Sequence, residues 1–347
     1  MRHYLALAAA TGLIACSPDG TGTRAPAAEA PAEQQAPAAP VVERDAAAPA
    51  EETSGLPGTD IRIFALDWVD GRPQIGAPAG GVIRPGYDNQ PFFTPDGTGL
   101  LYTAGDDASG ETDIWRLDLA SGETAPVTRT PDESEYSPRV PPGEAELSYI
   151  YQPPGGYAGN AYLANADNSD RRAAEDLAPV GYYLFSGDMR HVVTFALGEP
   201  NTLQLIDRSV EPEIVQAVAD NPGASLARTL HGDGAWVTLE RADGGFAVHR
   251  LDFASGRLRA GFDLPGMEPH FARITSPLSG MFAFDGFFST ADGTLFYGTV
   301  PADAAATTRS PAWVEIASLS GLGLNGVTRI AVSADADRIA VVVADQD

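Results

Sequence analysis

Carboxylates and tyrosines crowd a few short stretches of this chain, and together they could bind or cleave a polar ligand. Tyr87, Asp88, Asn89 and Gln90 stand in RPGYDNQ, and Glu133, Glu135 and Tyr136 in TPDESEY. Tyr182 and Tyr183 follow in APVGYY, Asn201 in LGEPNT, and Arg329 in LNGVTR as a candidate countercharge. Two carboxylates at a fixed separation are what glycoside hydrolysis requires. Carboxylates beside aromatic platforms equally suit a sugar, a cationic peptide or a partner loop. The plainer alternative is a solvated loop surface with tyrosines packed behind it. Asp96, in FTPDGTG, is another carboxylate that invites a catalytic or metal-binding role.

Other chemistry has little support. His191, His231, His249 and His270 occur singly, without the close spacing of a zinc site. No G-x-S-x-G elbow is present for a serine nucleophile. Lysine is absent, which removes Schiff-base chemistry, Ser-Lys dyads and the phosphate-loop lysine. DDASGETD (106–113) and DNSD (167–170) cluster oxygens that could hold Ca²⁺, but neither has the spaced ligands and terminal Glu of a calcium loop. Both read better as polar turns, and no cofactor is expected. The net charge of −25 and pI near 4.4 make nucleic acid and anionic lipid surfaces poor partners.

The N-terminal segment points to export. Arg2 precedes an apolar run, Tyr4 to Ala15, too short for a spanning helix of roughly 20 residues. It ends in Leu13-Ile14-Ala15-Cys16, which resembles a bacterial lipobox, and Cys16 is the only cysteine. The expectation is a signal peptide over 1–15, removed to leave a lipidated Cys16 whose several acyl chains give stable anchoring. An ordinary secretory signal with a chance Cys is the alternative. Ser17, rather than Asp, follows the Cys; the resemblance to Gram-negative sorting signals then implies the outer membrane, facing the periplasm. From Cys16 to 58 the chain is rich in Ala, Pro, Glu and Gln and reads as a disordered tether.

The elements that must position the loops emerge from an internal repeat. RLDLASGET at Arg116 recurs as RLDFASGRL at Arg250, 134 positions on. Tight turns before short apolar strands recur at Gly97, Gly143, Asp188 and Gly234, spaced by 46, 45 and 46. A further turn aligns at Ala336, and the one between falls at Gly280 or Gly293, with nothing in the sequence to decide. Within a period the pattern is strand-like: Trp115, Leu117 and Leu119 alternate with Ile114, Arg116 and Asp118. EPEIVQAVA (211–219) is open to a helix or to a strand and turn. About four strands per period and about 48 residues per unit describe the blade of a β-propeller. The fold class expected for 59–347 is all-β: a six-bladed β-propeller with four-stranded blades. GVTRIAVSADADRIAVVVAD at the C-terminal end supplies two inner strands, and TDIRIFALDWVDGRPQIGAP supplies an outer pair, so N-terminal strands complete the C-terminal blade. A β-sandwich explains neither the period nor the split blade. In this arrangement the candidate loops share one face around the channel mouth, and Asp96 is a turn residue on the other. Its counterparts align as Pro142, Gly187, Asp233 and Asp335, so the unit does not call for a carboxylate there.

NQPFFTPDGTGLLYTAGDDASGETDIWRLDLASGETAPVT resembles the repeat of the TolB-like β-propeller family, as do ESEYSP, LGEPNTL and VTRIAVSADADRIAVV. The likeness covers nearly all of 59–347, with blades four and five more divergent. It implies a periplasmic, WD-repeat-like propeller. TolB itself has an additional N-terminal α/β domain and binds a peptidoglycan-associated lipoprotein, whereas this chain has the tether in that place. The function expected is a monomeric, non-catalytic binding or scaffolding module for an envelope protein or peptide. The alternative is a propeller-type lyase or glycosidase acting on oligosaccharides through the rim carboxylates and tyrosines.

Overall fold

Short alternating strands separated by Gly, Asp and Ser turns cannot bury both faces alone, so they stack as sheets. The computed structural model describes residues 56–105, 109–143, 145–155, 159–275, 284–301 and 310–345. The expected signal peptide, Cys16 and nearly all of the tether lie outside these residues. The chain opens with β1 (Thr59–Val69) and β2 (Arg72–Val82). Blade one holds β3 (Asp88–Phe93), β4 (Gly99–Gly105), β5 (Thr112–Asp118) and β6 (Thr124–Pro126). Blade two holds β7 (Ser134–Arg139), β8 (Leu147–Gln152), β9 (Asn160–Ala164) and β10 (Arg172–Ala173). In blade three come β11 (Val180–Phe185), β12 (His191–Ala196), β13 (Thr202–Asp207) and β14 (Ile214–Asp220). Blade four comprises β15 (Pro222–Arg228), β16 (Gly234–Glu240), β17 (Phe246–Asp252) and β18 (Leu258–Asp263). Blade five comprises β19 (Phe271–Thr275), β20 (Phe284–Ala291), β21 (Thr294–Pro301) and β22 (Val314–Ser318). Blade six joins β23 (Arg329–Val332) and β24 (Arg338–Ala344) to β1 and β2, in the order β2-β1-β24-β23.

Every sheet is four-stranded and antiparallel, so the six-bladed architecture and its split closing blade are as the repeat implied. Closure runs through seven consecutive pairs, from Thr59 opposite Ala344 to Ala65 opposite Arg338. The stretch 211–219 resolves in favour of a strand, since β14 pairs with β13. Gly293 lies in the turn between β20 and β21, so the innermost hairpin of blade five is the link containing Gly280, itself outside the described residues. The one helical element among the described residues is a 3-10 turn at Ser320–Leu322. None of the helices there is long and apolar enough to cross a membrane.

The core is six apolar layers, one between each pair of neighbouring blades, because alternate residues of a strand face opposite blades. In β24, Val341 and Val343 pack toward blade five, while Ala340 and Val342 pack toward blade one. In β4, Leu100 and Tyr102 join blade six, and Leu101 joins blade two. Around the axis, β3 approaches β23 and β7, and β15 approaches β11 and β19.

The hairpins between the two innermost strands correct one expectation. In four blades the hydroxyl just after the innermost strand donates to a turn aspartate: Thr94 to Asp96 at 2.5 Å, Ser186 to Asp188 at 2.7 Å, Thr229 to Asp233 at 2.6 Å and Ser333 to Asp337 at 2.8 Å. The carboxylate is therefore a recurrent part of the turn in four blades. The four turns are equally long, each hydroxyl also accepting from the amide five residues on, but the aspartate stands two residues after the hydroxyl in blades one and three and four residues after it in blades four and six. The alignment by glycine therefore put the counterparts at Gly187 and Asp335 instead of Asp188 and Asp337. Asp96 also accepts from the Thr98 amide and hydroxyl, and these bonds lower its pKa to about 2. It is a turn former.

Candidate functional site: the channel mouth

The face opposite those hairpins gathers the loops that enter the innermost strands, and the candidate residues sort into three kinds there. Some are buried clamps between blades. Asp88 is fully buried; its Oδ1 accepts from Arg84 Nη2 at 2.7 Å, and Oδ2 has no partner. Burial outweighs the Arg84 charge and raises its pKa to about 6. A bulge in β3 gives Gln90 a φ of 55°, and its Oε1 accepts from Thr103 Oγ1 at 2.7 Å and the Ser137 amide at 2.8 Å, tying blade one to blade two. Tyr183, also fully buried, donates to Ser148 Oγ at 2.8 Å and ties blade three to blade two. Glu135 is fully buried as well, accepting from Thr130 Oγ1 at 2.6 Å and Thr128 Oγ1 at 3.0 Å. Burial raises its pKa to about 7 in spite of both bonds.

A second kind lies on the rim. Glu133 is clasped by Arg171 through two bonds, 2.6 and 3.0 Å, and accepts a third from Tyr151 at 3.0 Å. Arg171 chiefly holds its pKa below the usual carboxylate range. Asn201 caps a local turn by accepting the Gly198 amide at 3.1 Å. Beside these, a cavity of about 680 Å³ on blade one is lined by Arg84, Glu111, Asp113, Trp115, Arg129 and Glu133. Arg84 crosses it to stand 5.7 Å over the Trp115 ring.

The third kind forms the mouth itself. Arg329 begins β23 in blade six, and Tyr182 lies on β11 in blade three, on the opposite side of the six-bladed ring. Arg329 Nη2 nevertheless donates to the Tyr182 hydroxyl at 3.0 Å, with its guanidinium carbon 5.2 Å from the ring centre. Its Nε donates to Asn89 Oδ1 at 3.3 Å. This is a bar across the channel. Tyr87 and Tyr136 stand close enough to be felt electrostatically: burial raises the Tyr87 pKa, Arg329 opposes it, and Tyr182 and Tyr136 add to it. Gly105 makes room for Tyr87, because a Cβ there would lie 2.9 Å from that of Tyr87. Arg329 thus bonds an amide and a phenol, while the countercharges of the carboxylates are Arg84 and Arg171.

The sequence reading missed Arg171, Thr128, Thr130 and, deeper in the channel, Arg139, Arg228, Arg273 and His270. Arginine in an otherwise apolar innermost strand (SPRV, LARTL, FARIT) is the signal that marks Arg139, Arg228 and Arg273; nothing comparable marks His270. No group of three His, Cys, Asp or Glu among the described residues is placed to hold a metal. In DNSD, Asp167 accepts from the Ser169 amide and hydroxyl, and Asn168 accepts from Tyr149 at 2.6 Å.

The buried carboxyls set a pH dependence. Asp88, Glu135 and Glu175 have folded pKa values of about 6, 7 and 7, all above their ordinary values because of burial. The folded state therefore binds more protons than the unfolded chain between about pH 4 and 7. Stability should be fully present below the unfolded pKa values and fall as pH rises through 6 to 7. The midpoint in urea should be higher at pH 5 than at pH 8, and Glu135→Gln should shrink that difference.

These features define a six-bladed, four-stranded β-propeller closed by its own N-terminal strands, with a barred channel mouth. Its fold is TolB-like. A structure from Agrobacterium tumefaciens assigned as TolB superposes with a TM-score of 0.52 at 13% identity, covering 84% of this chain and 100% of that one. TolB from Acinetobacter baumannii gives a TM-score of 0.47 at 11% identity; 71% of this chain matches, spanning 61% of the Acinetobacter protein's length. An oligogalacturonate lyase in complex with manganese gives 0.45 at 11% identity, over 71% of this chain and 68% of that one. No family model matches the chain, and no curated protein does.

Proposed function

We propose that this chain is a non-catalytic binding module of the bacterial envelope. In this reading it is tethered through a lipidated Cys16 to the periplasmic side of the outer membrane and engages an envelope protein or peptide at the channel mouth. The observation that supports it best is the Arg329–Tyr182 bar. A glycosidase or lyase needs an open cleft with free acidic groups, whereas here a cross-ring contact occupies the mouth and the carboxylates nearby are engaged by the chain itself. Asp88 is paired with Arg84, Glu135 with two threonines, and Glu133 with Arg171. Tyr87, Tyr136, Tyr182 and Arg329 then offer amphipathic rings and a cation to a partner loop, the residue types that dominate binding hot spots. The TolB-like fold fits a periplasmic setting.

Two experiments test the two halves of this reading. With Cys16→Ser, the protein should appear in the soluble periplasm or remain unprocessed; its retention in washed outer membranes would refute the lipid anchor. Affinity purification of the lipidated protein from solubilised membranes should return one stoichiometric partner. Turnover of an oligosaccharide panel in the absence of such a partner would reverse the assignment.

A further inference from the structure

The channel of this acidic protein is lined by cations. Arg139 is the last residue of β7, Arg228 the last of β15, Arg273 the middle of β19 and Arg329 the first of β23, so four of the six innermost strands each place one arginine. Arg273 is neutralised by Asp285, to which its Nε donates at 2.7 Å. The other three have no carboxylate partner among the described residues. Arg139 is held only by aromatic faces, with its guanidinium carbon 5.9 Å from the ring centres of both Phe92 on β3 and Tyr183 on β11. The Arg228 side chain makes no hydrogen bond or ion pair with any described residue, although its backbone pairs with Ala235. Arg329 spends its donors on Tyr182 and Asn89.

Such an arrangement is costly for the apo fold. Desolvation lowers the pKa of Arg139, and the like charges of Arg228 and Arg329 lower it further. Arg228 is affected in the same way, by burial and then by Arg273. Arg139, Arg228 and Arg329 are each half-buried. His270, whose Nδ1 is buried without a partner, is kept neutral by burial and by Arg329, with its pKa lowered to about 4. Unpaired guanidiniums converging from separate strands, in a chain of net charge −25, are not explained by packing. A charge arrangement that destabilises the empty protein is the mark of a ligand site.

We propose that the channel beneath the Arg329–Tyr182 bar binds a small multivalent anion bearing carboxylate or phosphate groups, held by Arg139, Arg228 and Arg329. Forked guanidiniums from three blades match the oxygens of such a group, and each unpaired cation gains a charge-assisted hydrogen bond. The site rests on the binding reading above only for the shared Arg329. It requires neither the lipid anchor nor the envelope partner, so its test can fail while that reading stands, and the reverse.

The test uses the full folded chain with citrate and pyrophosphate as separate probes, in calorimetric titrations at constant ionic strength. Saturable binding of at least one probe is expected, weakened roughly tenfold or more by Arg139→Gln and again by Arg228→Gln, and unaffected by the surface variant Arg190→Gln. Preference for citrate would assign a carboxylate ligand, and for pyrophosphate a phosphate. A second measurement needs no ligand: Arg228→Gln should raise the melting temperature of the apo protein, because it removes an unpaired cation beside Arg273. No saturable binding of either probe, equal binding by the double variant, or an Arg228→Gln protein that melts lower or fails to fold would each overturn the proposal.

Discussion

Replacing Asp285 by Ala is expected to lower the unfolding free energy by about 3–5 kcal/mol, measured by urea denaturation. The carboxylate is almost completely buried (1% exposed) and joins blades four and five. Its Oδ1 accepts from Arg273 on β19, and its Oδ2 accepts from Trp236 Nε1 on β16 at 3.0 Å. Trp236 in turn packs edge-on against Phe287 at 5.5 Å, within the apolar layer between these blades. Deleting the carboxylate leaves a guanidinium and an indole N–H without partners in a dry region, and the unpaired charge dominates the cost. Asp285→Asn can keep the indole bond but not the charge, so it should fall between wild type and Ala. By contrast, Glu133→Gln breaks a pair at the partly exposed rim, where solvent screening leaves little energy to lose, and should change stability by less than about 1 kcal/mol.

The second large effect should come from the closing seam. Ile61 and Ile63 on β1 are buried in the layer shared with Phe93, Leu100, Ala340 and Val342, while the backbone of β1 pairs with β24. Ile61→Ala should cost about 2–5 kcal/mol, the range for emptying such a site. A chain beginning at Asp70, which lacks β1, loses the seam altogether. It exposes the edge of β24 and the Val341 and Val343 face, so it should lose its cooperative transition and aggregate. Retention of a sharp transition near the wild-type midpoint would show that the ring does not depend on its N-terminal strand.

The fold was legible because its signals are local and repeated. Period-two alternation, turn glycines and a spacing near 46 residues are carried by the chain itself, and they survive even where blades four and five drift. The split closing blade was legible for the same reason: each terminal segment holds half of a recognisable unit. Turn registers were less so: in hairpins of equal length the bonding aspartate stands two residues after the hydroxyl at Asp96 and Asp188 but four after it at Asp233 and Asp337, and nothing in the surrounding pattern marks the switch. The site was harder still. That loops 84–90, 130–136, 178–183 and 324–329 share a face follows from topology. That Asp88 and Glu135 turn inward, or that Arg329 reaches Tyr182 across the ring, depends on bulges and on side-chain contacts between distant blades. The arginines of the channel were present in plain view as charges in apolar strands. Their convergence exists only once the strands are arranged in a ring.

Binding of a partner without catalysis is the role proposed for the barred mouth. It is tested most directly by comparing wild type with Tyr182→Ala/Arg329→Ala in affinity purifications of the lipidated protein from solubilised outer membranes, with folding checked by the urea transition. One stoichiometric envelope protein should accompany the wild type and be lost from the folded double variant. Equal recovery by the variant, or no partner together with turnover of an oligosaccharide by the wild type, would contradict it.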